Sequence, residues 1–230
     1  MRRRRADRAG RGWPAWLARR AYDNGLSLAL AALFLAFLIG QSLTGFQVNN
    51  AERAAHAEPP LSYAAYLRSD HFAEATFENW ESEFLQMAAY VVLTAMLIQR
   101  GSAESNDPDA SARQSAPGRA APWPVRRGGW VLRLYEHSLS LALALLFFAS
   151  FVLHGLAGAR HYNAEQLQHG ETPIGIVSYF ATAQFWFESL QNWQSEFLAI
   201  LAMVVLSIFL REKGSAESKD VAAPHHKTGA

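Results

Sequence analysis

The sequence predicts an all-α membrane protein with four transmembrane helices, formed by two tandem, parallel helical-hairpin repeats. Three observations carry that prediction: long apolar segments almost free of charge, an ungapped internal repeat, and basic residues crowded into alternate connecting segments. The mean hydropathy of −0.03 hides the first of these, because it averages very unequal stretches. Charged residues make up 18% of the chain, against about 25% in an ordinary soluble one. Half of the residues are hydrophobic, which excludes disorder throughout. Cysteine is absent, so there is no disulfide framework, thiol nucleophile or cysteine metal site.

The elements follow in chain order. Residues 1–20 are Arg-rich without an apolar face and are expected to form a disordered basic tail. Residues 26–46 carry no charge, and residues 139–159 carry only His154 among ionisable groups. Each stretch holds about 20 residues, enough as helix to cross a hydrocarbon core of ~30 Å. Both are apolar all round, unlike the striped helices of a soluble core. The first is expected to remain uncleaved, because its apolar run is too long for a signal peptide and a near-copy recurs in mid-chain. The apolar runs 84–98 and 197–210 are shorter. Extended back through Asn79-Trp80 and Asn192-Trp193 they reach about 19–20 residues, with both indoles at headgroup level. The expected division is a first hairpin at 21–105, a cytoplasmic linker at 106–132, a second hairpin at 133–218 and a disordered tail at 219–230 that leaves His225 and His226 solvated.

Residues 20–105 align with 133–218 at a constant offset of 113, and about 37 of the 86 pairs are identical. The segment LSLALA recurs at 26 and 139, NWxSEFL at 79 and 192, and GSAES at 101 and 214. Of the 21 basic residues, only Arg53, Arg68 and Arg160 fall in the two loops expected outside. The other 18 lie before, between and after the hairpins, which puts both termini in the cytoplasm.

The outer loops carry the polar chemistry. The motif N-A-E-x-x-x-H occurs twice, giving the pairs Glu52/His56 and Glu165/His169. At i, i+4 such a pair shares one helix face and suits a Glu–His hydrogen bond; no spacing fixes a third ligand, so no metal site is assigned. In the second element Asn79 and Glu83, and Asn192 and Glu196, share faces about one turn inside the outer boundary. Gln41 and His154 lie at a comparable depth on the other two helices. Ionisable groups at that depth face the bundle or water, so Gln41, Asn79, Glu83, His154, Asn192 and Glu196 form the candidate polar cluster. The dense aromatics around it suit an interfacial belt.

No catalytic residue is expected. The chain has no phosphate-binding glycine loop, no H-E-x-x-H and no G-x-S-x-G. The N-terminal arginines are explained by topology and anionic lipid, so the bilayer is the expected partner and nucleic acid is not. No cofactor is expected.

The opening DNGLSL at 23–28, the NWxSEFL element and the closing GSAES resemble a functionally uncharacterised family of small bacterial membrane proteins, a domain of unknown function with two similar hairpins per chain. The resemblance implies a fold and a compartment, the bacterial cytoplasmic membrane, but no activity. Three functions compete. The first, a non-enzymatic structural or stress-related membrane module, is the expected one. The second is a channel or transporter subunit that uses the polar cluster and, because four helices enclose little space, requires a homo-oligomer. The third is a metal-dependent membrane enzyme built on the outer Glu/His pairs.

Overall fold

The computed structural model describes residues 15–107 and 121–229, all helix, turn or irregular chain. Most of the expected basic tail and the middle of the expected linker lie outside the described residues. The chain divides into two compact units, Met1–Leu67 and Arg68–Ala230.

The first unit holds α1 (Ala15–Asp23), α2 (Gly25–Ala55) and α3 (Tyr63–Tyr66). Asn24 separates α1 from α2, and its side-chain amide donates to the Arg20 carbonyl at 2.8 Å. α2 has 31 residues, about 46 Å of helix. Its C-terminal half receives α3. Tyr63 and Ser42 share a 2.6 Å hydroxyl contact, and the Tyr66 hydroxyl occupies the space a Cβ would need at Gly45. The connecting loop is held by Asn50, whose side chain accepts from Leu61 N at 2.8 Å and donates to Leu61 O at 3.2 Å.

The second unit holds α4 (Asp70–Met96), α5 (Trp123–Arg127), α6 (Gly129–Glu136), α7 (Ser138–Gln168), α8 (Ile176–Tyr179) and α9 (Ala183–Phe209). Ser69 caps α4 by accepting from Phe72 N, and Thr182 caps α9 by accepting from Phe185 N. α4 packs along α7 and more lightly against α9. The apolar core of the unit is small: Ala159, Tyr179 and Phe185, with Phe151, Tyr162, Ile174 and Phe180 around them. Gly155 and Gly158 make room for it. A Cβ at Gly155 would lie 2.1 Å from Phe180 Cζ, and one at Gly158 2.5 Å from the Tyr179 hydroxyl.

Elements recur at one spacing. α2 and α7, α3 and α8, and α4 and α9 have equal lengths, and their bounds differ by 113. Local contacts recur too: Asn163 holds Ile174 N and O as Asn50 holds Leu61. In the GSAES turns, Ser105 Oγ accepts from Gln99 N at 3.0 Å, and Ser218 Oγ accepts from Glu212 N at 2.9 Å.

Burial is inverted relative to a water-soluble protein. Leu26, Phe37, Leu145 and Phe148 are exposed, whereas Glu81, Ser82, Gln86, Ser150, His154 and Ser189 are buried. Large exposed apolar surface on this scale marks contact with another apolar phase. By length and composition α2, α7 and α9 can each cross a membrane. α4 is long enough, at 27 residues, but Asp70, Glu74, Glu78, Glu81 and Glu83 in its outer half keep it out of that class.

The C-terminal segment differs from the expected loose tail. It forms turns against the C-terminal ends of α4 and α9. Lys219 is buried, and its ammonium donates to the carbonyls of Gly101, His225 and Lys227. Thr228 Oγ1 accepts from Gly101 N at 3.0 Å. Low hydrophobicity concealed this segment, because its fixed points are hydrogen bonds to backbone carbonyls, those of Gly101, His225 and Lys227 in turns and that of Ile208 in the last turn of α9.

Beside it the Tyr90 hydroxyl donates to Glu104 at 2.6 Å. Burial pushes the Glu104 carboxyl above the usual carboxylate range; Tyr90 opposes this and Glu217 adds to it. The folded turn therefore favours the protonated acid. Its stabilisation is complete below the ordinary carboxylate range and is lost as pH rises through the raised value. Limited proteolysis of residues 211–229 between pH 4 and 8 should show faster cleavage of the wild type as pH rises, and a flatter profile for Glu104→Gln.

Candidate functional site

Glu74, Glu78 and Glu81 stand at i, i+4 and i+7 on α4 and so share one face. That face meets α7, which presents His154 and, two turns further out, His161. Three rungs result, and they run in opposite chain directions along the two helices. His154 Nδ1 lies 3.0 Å from Glu81 Oε2, His161 Nδ1 lies 2.5 Å from Glu74 Oε2, and Arg160 Nη1 lies 3.1 Å from Asp70 Oδ1. The inner rung is fully buried, the middle one partly, and the outer one is exposed. His71 borders the middle rung edge-on, its ring centroid 5.3 Å from that of His161. On the other side of His161, Glu165 lies 4.0 Å away.

α9 closes the inner rung. Glu81 Oε1 accepts from the Ser189 hydroxyl at 2.7 Å and from the Trp193 indole at 3.2 Å. With His154 Nδ1, three polar groups from two helices converge on one carboxylate. Asn192 donates to Glu78 Oε1 at 2.6 Å. Glu188 accepts from Gln184 at 2.5 Å and from the Tyr179 hydroxyl at 3.2 Å. Its Oε2 also lies 3.5 Å from His154 Nε2. That nitrogen is buried and has no hydrogen-bond partner. One donor atom from each of Glu74, His154 and Glu188 falls within 4.8 Å of the other two.

A family model described as a domain of unknown function (DUF6766) matches residues 17–230. The chain belongs to this family. No curated protein and no solved structure matches it.

In this DUF6766 chain the sequence-predicted residues separate. His154 is central, but its carboxylate partner is Glu81 rather than Glu83. Glu83 lies two residues on, about 200° round the helix, and is exposed. Glu196 is half-buried; Gln86 donates to its backbone carbonyl at 3.0 Å, and Glu83 is close enough to act on its charge. Asn192 joins the array through Glu78. Asn79 is exposed and donates to its own helix at Ala75 O, 2.7 Å away. Gln41 lies on α2 in the first unit.

The outer Glu/His pairs form no side-chain bond of the expected kind. His56 Nδ1 and His169 Nδ1 face the backbone carbonyls of Glu52 and Glu165, at 2.9 and 2.8 Å. Both histidines close the C-terminal end of a helix, where an imidazole N–H satisfies a free carbonyl. The i, i+4 spacing is therefore explained by capping.

Glu74, Glu78, Glu81 and Glu188 carry no repeat signal, because none of them recurs in both copies. At an offset of 113, Glu74 corresponds to Phe187, Glu78 to Gln191, Glu81 to Gln194, His154 to Gln41 and Glu188 to Ala75. The acids on α4 come from the first copy and His154 and Glu188 from the second, and none of them recurs at the offset. The array's signal was available in the 3.6-residue period of the acids on α4.

Proposed function

We propose that this chain is a four-helix integral protein of a bacterial cytoplasmic membrane that handles cations, protons first, at the buried array of Glu81, His154 and Glu188. It works as a channel or transporter subunit and carries no catalytic centre. The observation that carries this reading is His154, fully buried between two carboxylates on two different helices. Its Nδ1–H points at Glu81, which leaves Nε2 and Glu188 as facing acceptors. Two lone pairs 3.5 Å apart repel unless a cation sits between them, whether a proton on Nε2 or a metal ion. Ionisable side chains at such depth mark ion pathways and proton relays. The middle and outer rungs provide a line of exchangeable groups from there to the exposed ends of α4 and α7.

Several facts support the larger frame. Of the acids that exclude α4 from the apolar class, Glu74 and Glu81 face partners on α7 and Glu78 faces one on α9, and the burial of these three is compatible with a fourth span. Equal element lengths at one offset of 113 support duplication of a hairpin. The bias of 18 basic residues against 3 supports cytoplasmic termini. A homo-oligomer supplies the enclosed path that four helices alone leave small.

A structural module is the second reading, favoured by the three donors that saturate Glu81. Proton uptake separates the two. Wild-type protein in vesicles loaded with a pH-sensitive dye, under a potassium diffusion potential, should admit protons faster than empty vesicles. Glu81→Gln and His154→Gln should return uptake to the empty-vesicle rate while keeping the helical circular dichroism. Wild-type uptake equal to that of empty vesicles overturns the ion-handling reading and leaves the structural one.

A further inference from the structure

We infer that Glu74, His154 and Glu188 form a binding site for one divalent first-row transition-metal ion. The inference rests on the cation-handling reading and names a cation that reading leaves open. It starts from the buried His154 Nε2, which makes no hydrogen bond although it lies 3.5 Å from Glu188 Oε2. Once Nδ1–H donates to Glu81, Nε2 presents a bare lone pair towards Glu188. A histidine that donates one ring N–H to a carboxylate and aims the other nitrogen at a metal is the usual second-shell arrangement of such sites. Glu81 is itself fixed by Ser189 and Trp193, so the ring has little freedom to turn away.

Distances agree. Two ligand atoms, each about 2.1 Å from a tetrahedral ion, lie about 3.4 Å apart; His154 Nε2 and Glu188 Oε2 lie 3.5 Å apart. Glu74 completes the set within 4.8 Å, and a side-chain movement of about 1 Å brings it to ligand distance. Its Oε1 already lies 2.9 Å from where a Gly158 Cβ would be, beside the Tyr179 hydroxyl. The remaining groups act as outer support: Tyr179 and Gln184 donate to Glu188, and His161 faces the second oxygen of Glu74.

Charge points the same way. Glu74, Glu78, Glu81 and Glu188 contribute four negative charges, and Glu78 lies within electrostatic reach of His154, Glu188 and Glu74. His161 supplies one positive charge when protonated, and His154 supplies none, because its Nε2 offers a lone pair only while the ring is neutral. His71 and Glu165, which border His161, cancel when both are charged, and Asp70 is paired with Arg160. Three positive charges are missing. A divalent ion supplies two of them at once, and imidazole among the ligands favours zinc, iron, cobalt or nickel over magnesium or calcium.

The test uses full-length protein in nanodiscs, with His225 and His226 changed to Ala to remove terminal metal binding. After equilibration with Zn(II) and desalting, elemental analysis should find about one zinc per chain. His154→Gln and Glu188→Gln should each lose it, and Glu83→Gln should keep it. Glu81→Gln, a positioning change, should bind about 10–100-fold more weakly. Co(II) should give the intense visible bands of a tetrahedral site in the parent and lose them in Glu188→Gln. A parent that retains no zinc, or equal zinc in the parent and Glu188→Gln, overturns the proposal. Should His154→Gln fail to fold, Glu74→Gln and Glu188→Gln carry the test, and the parent alone still decides by its stoichiometry. Zinc binding without proton uptake leaves the site and removes the transport reading. Proton uptake without zinc does the reverse.

Discussion

Glu81→Leu should destabilise the packing of α4 on α7 and α9 by about 3–5 kcal/mol, the cost of leaving a buried charged group without its partner. The reason is the number of donors that converge on one side chain. Removing the carboxylate strands His154 Nδ1, the Ser189 hydroxyl and the Trp193 indole N–H where water is scarce. Each lost interhelical hydrogen bond within a membrane costs roughly 0.6–2 kcal/mol, so three reach the same range. The double variant Glu81→Leu/His154→Leu should recover a large part of the loss, because apolar pairs often replace buried ion pairs at little cost. Unfolding in mixed micelles, followed by Trp193 fluorescence, measures both. A single-variant loss below about 1 kcal/mol, with no recovery in the double variant, would show that the pair does not bind the helices together.

Gly158→Val should act through geometry rather than charge. The new Cβ would meet the Tyr179 hydroxyl at 2.5 Å and Glu74 Oε1 at 2.9 Å. Both must move, and overpacking of this kind costs about 1–3 kcal/mol. Tyr179 then leaves Glu188, and Glu74 leaves His161. The expected outcome is a lower unfolding midpoint together with loss of the function tested at the array. Gly40→Ala is the matched control: nothing lies within 4 Å of its Cβ position, so it should leave both properties unchanged. Equal behaviour of the two glycine variants would remove α8 from the support of the site.

The sequence by itself determined the helical class, the apolar spans of α2, α7 and α9, and the spacing of 113 at which the elements recur. These properties are written in local composition and period: a run of Leu, Ala and Phe makes a helix with no polar face wherever it stands. It also singled out His154, a lone ionisable group in an apolar run.

Tertiary structure decided the partners. Glu81 and Glu83 look equivalent along the chain, and only Glu83 is repeated in both copies. Their directions differ by about 200° on the helix, and only the face that α7 covers counts. Glu188 entered the site for the same reason: it sits one turn before Asn192 on the face of α9 that closes over His154. In the outer loops the Glu/His spacing was legible, but whether the imidazole takes the carboxylate or the carbonyl depends on where the helix ends, and the chain turns immediately after His56 and His169. The C-terminal segment shows the same limit. A buried ammonium surrounded by backbone carbonyls leaves no trace in composition, because its partners are main-chain atoms that every residue carries. Local preference is additive along the chain and can be read from it, whereas a polar site inside an apolar bundle depends on which faces meet across long sequence separations.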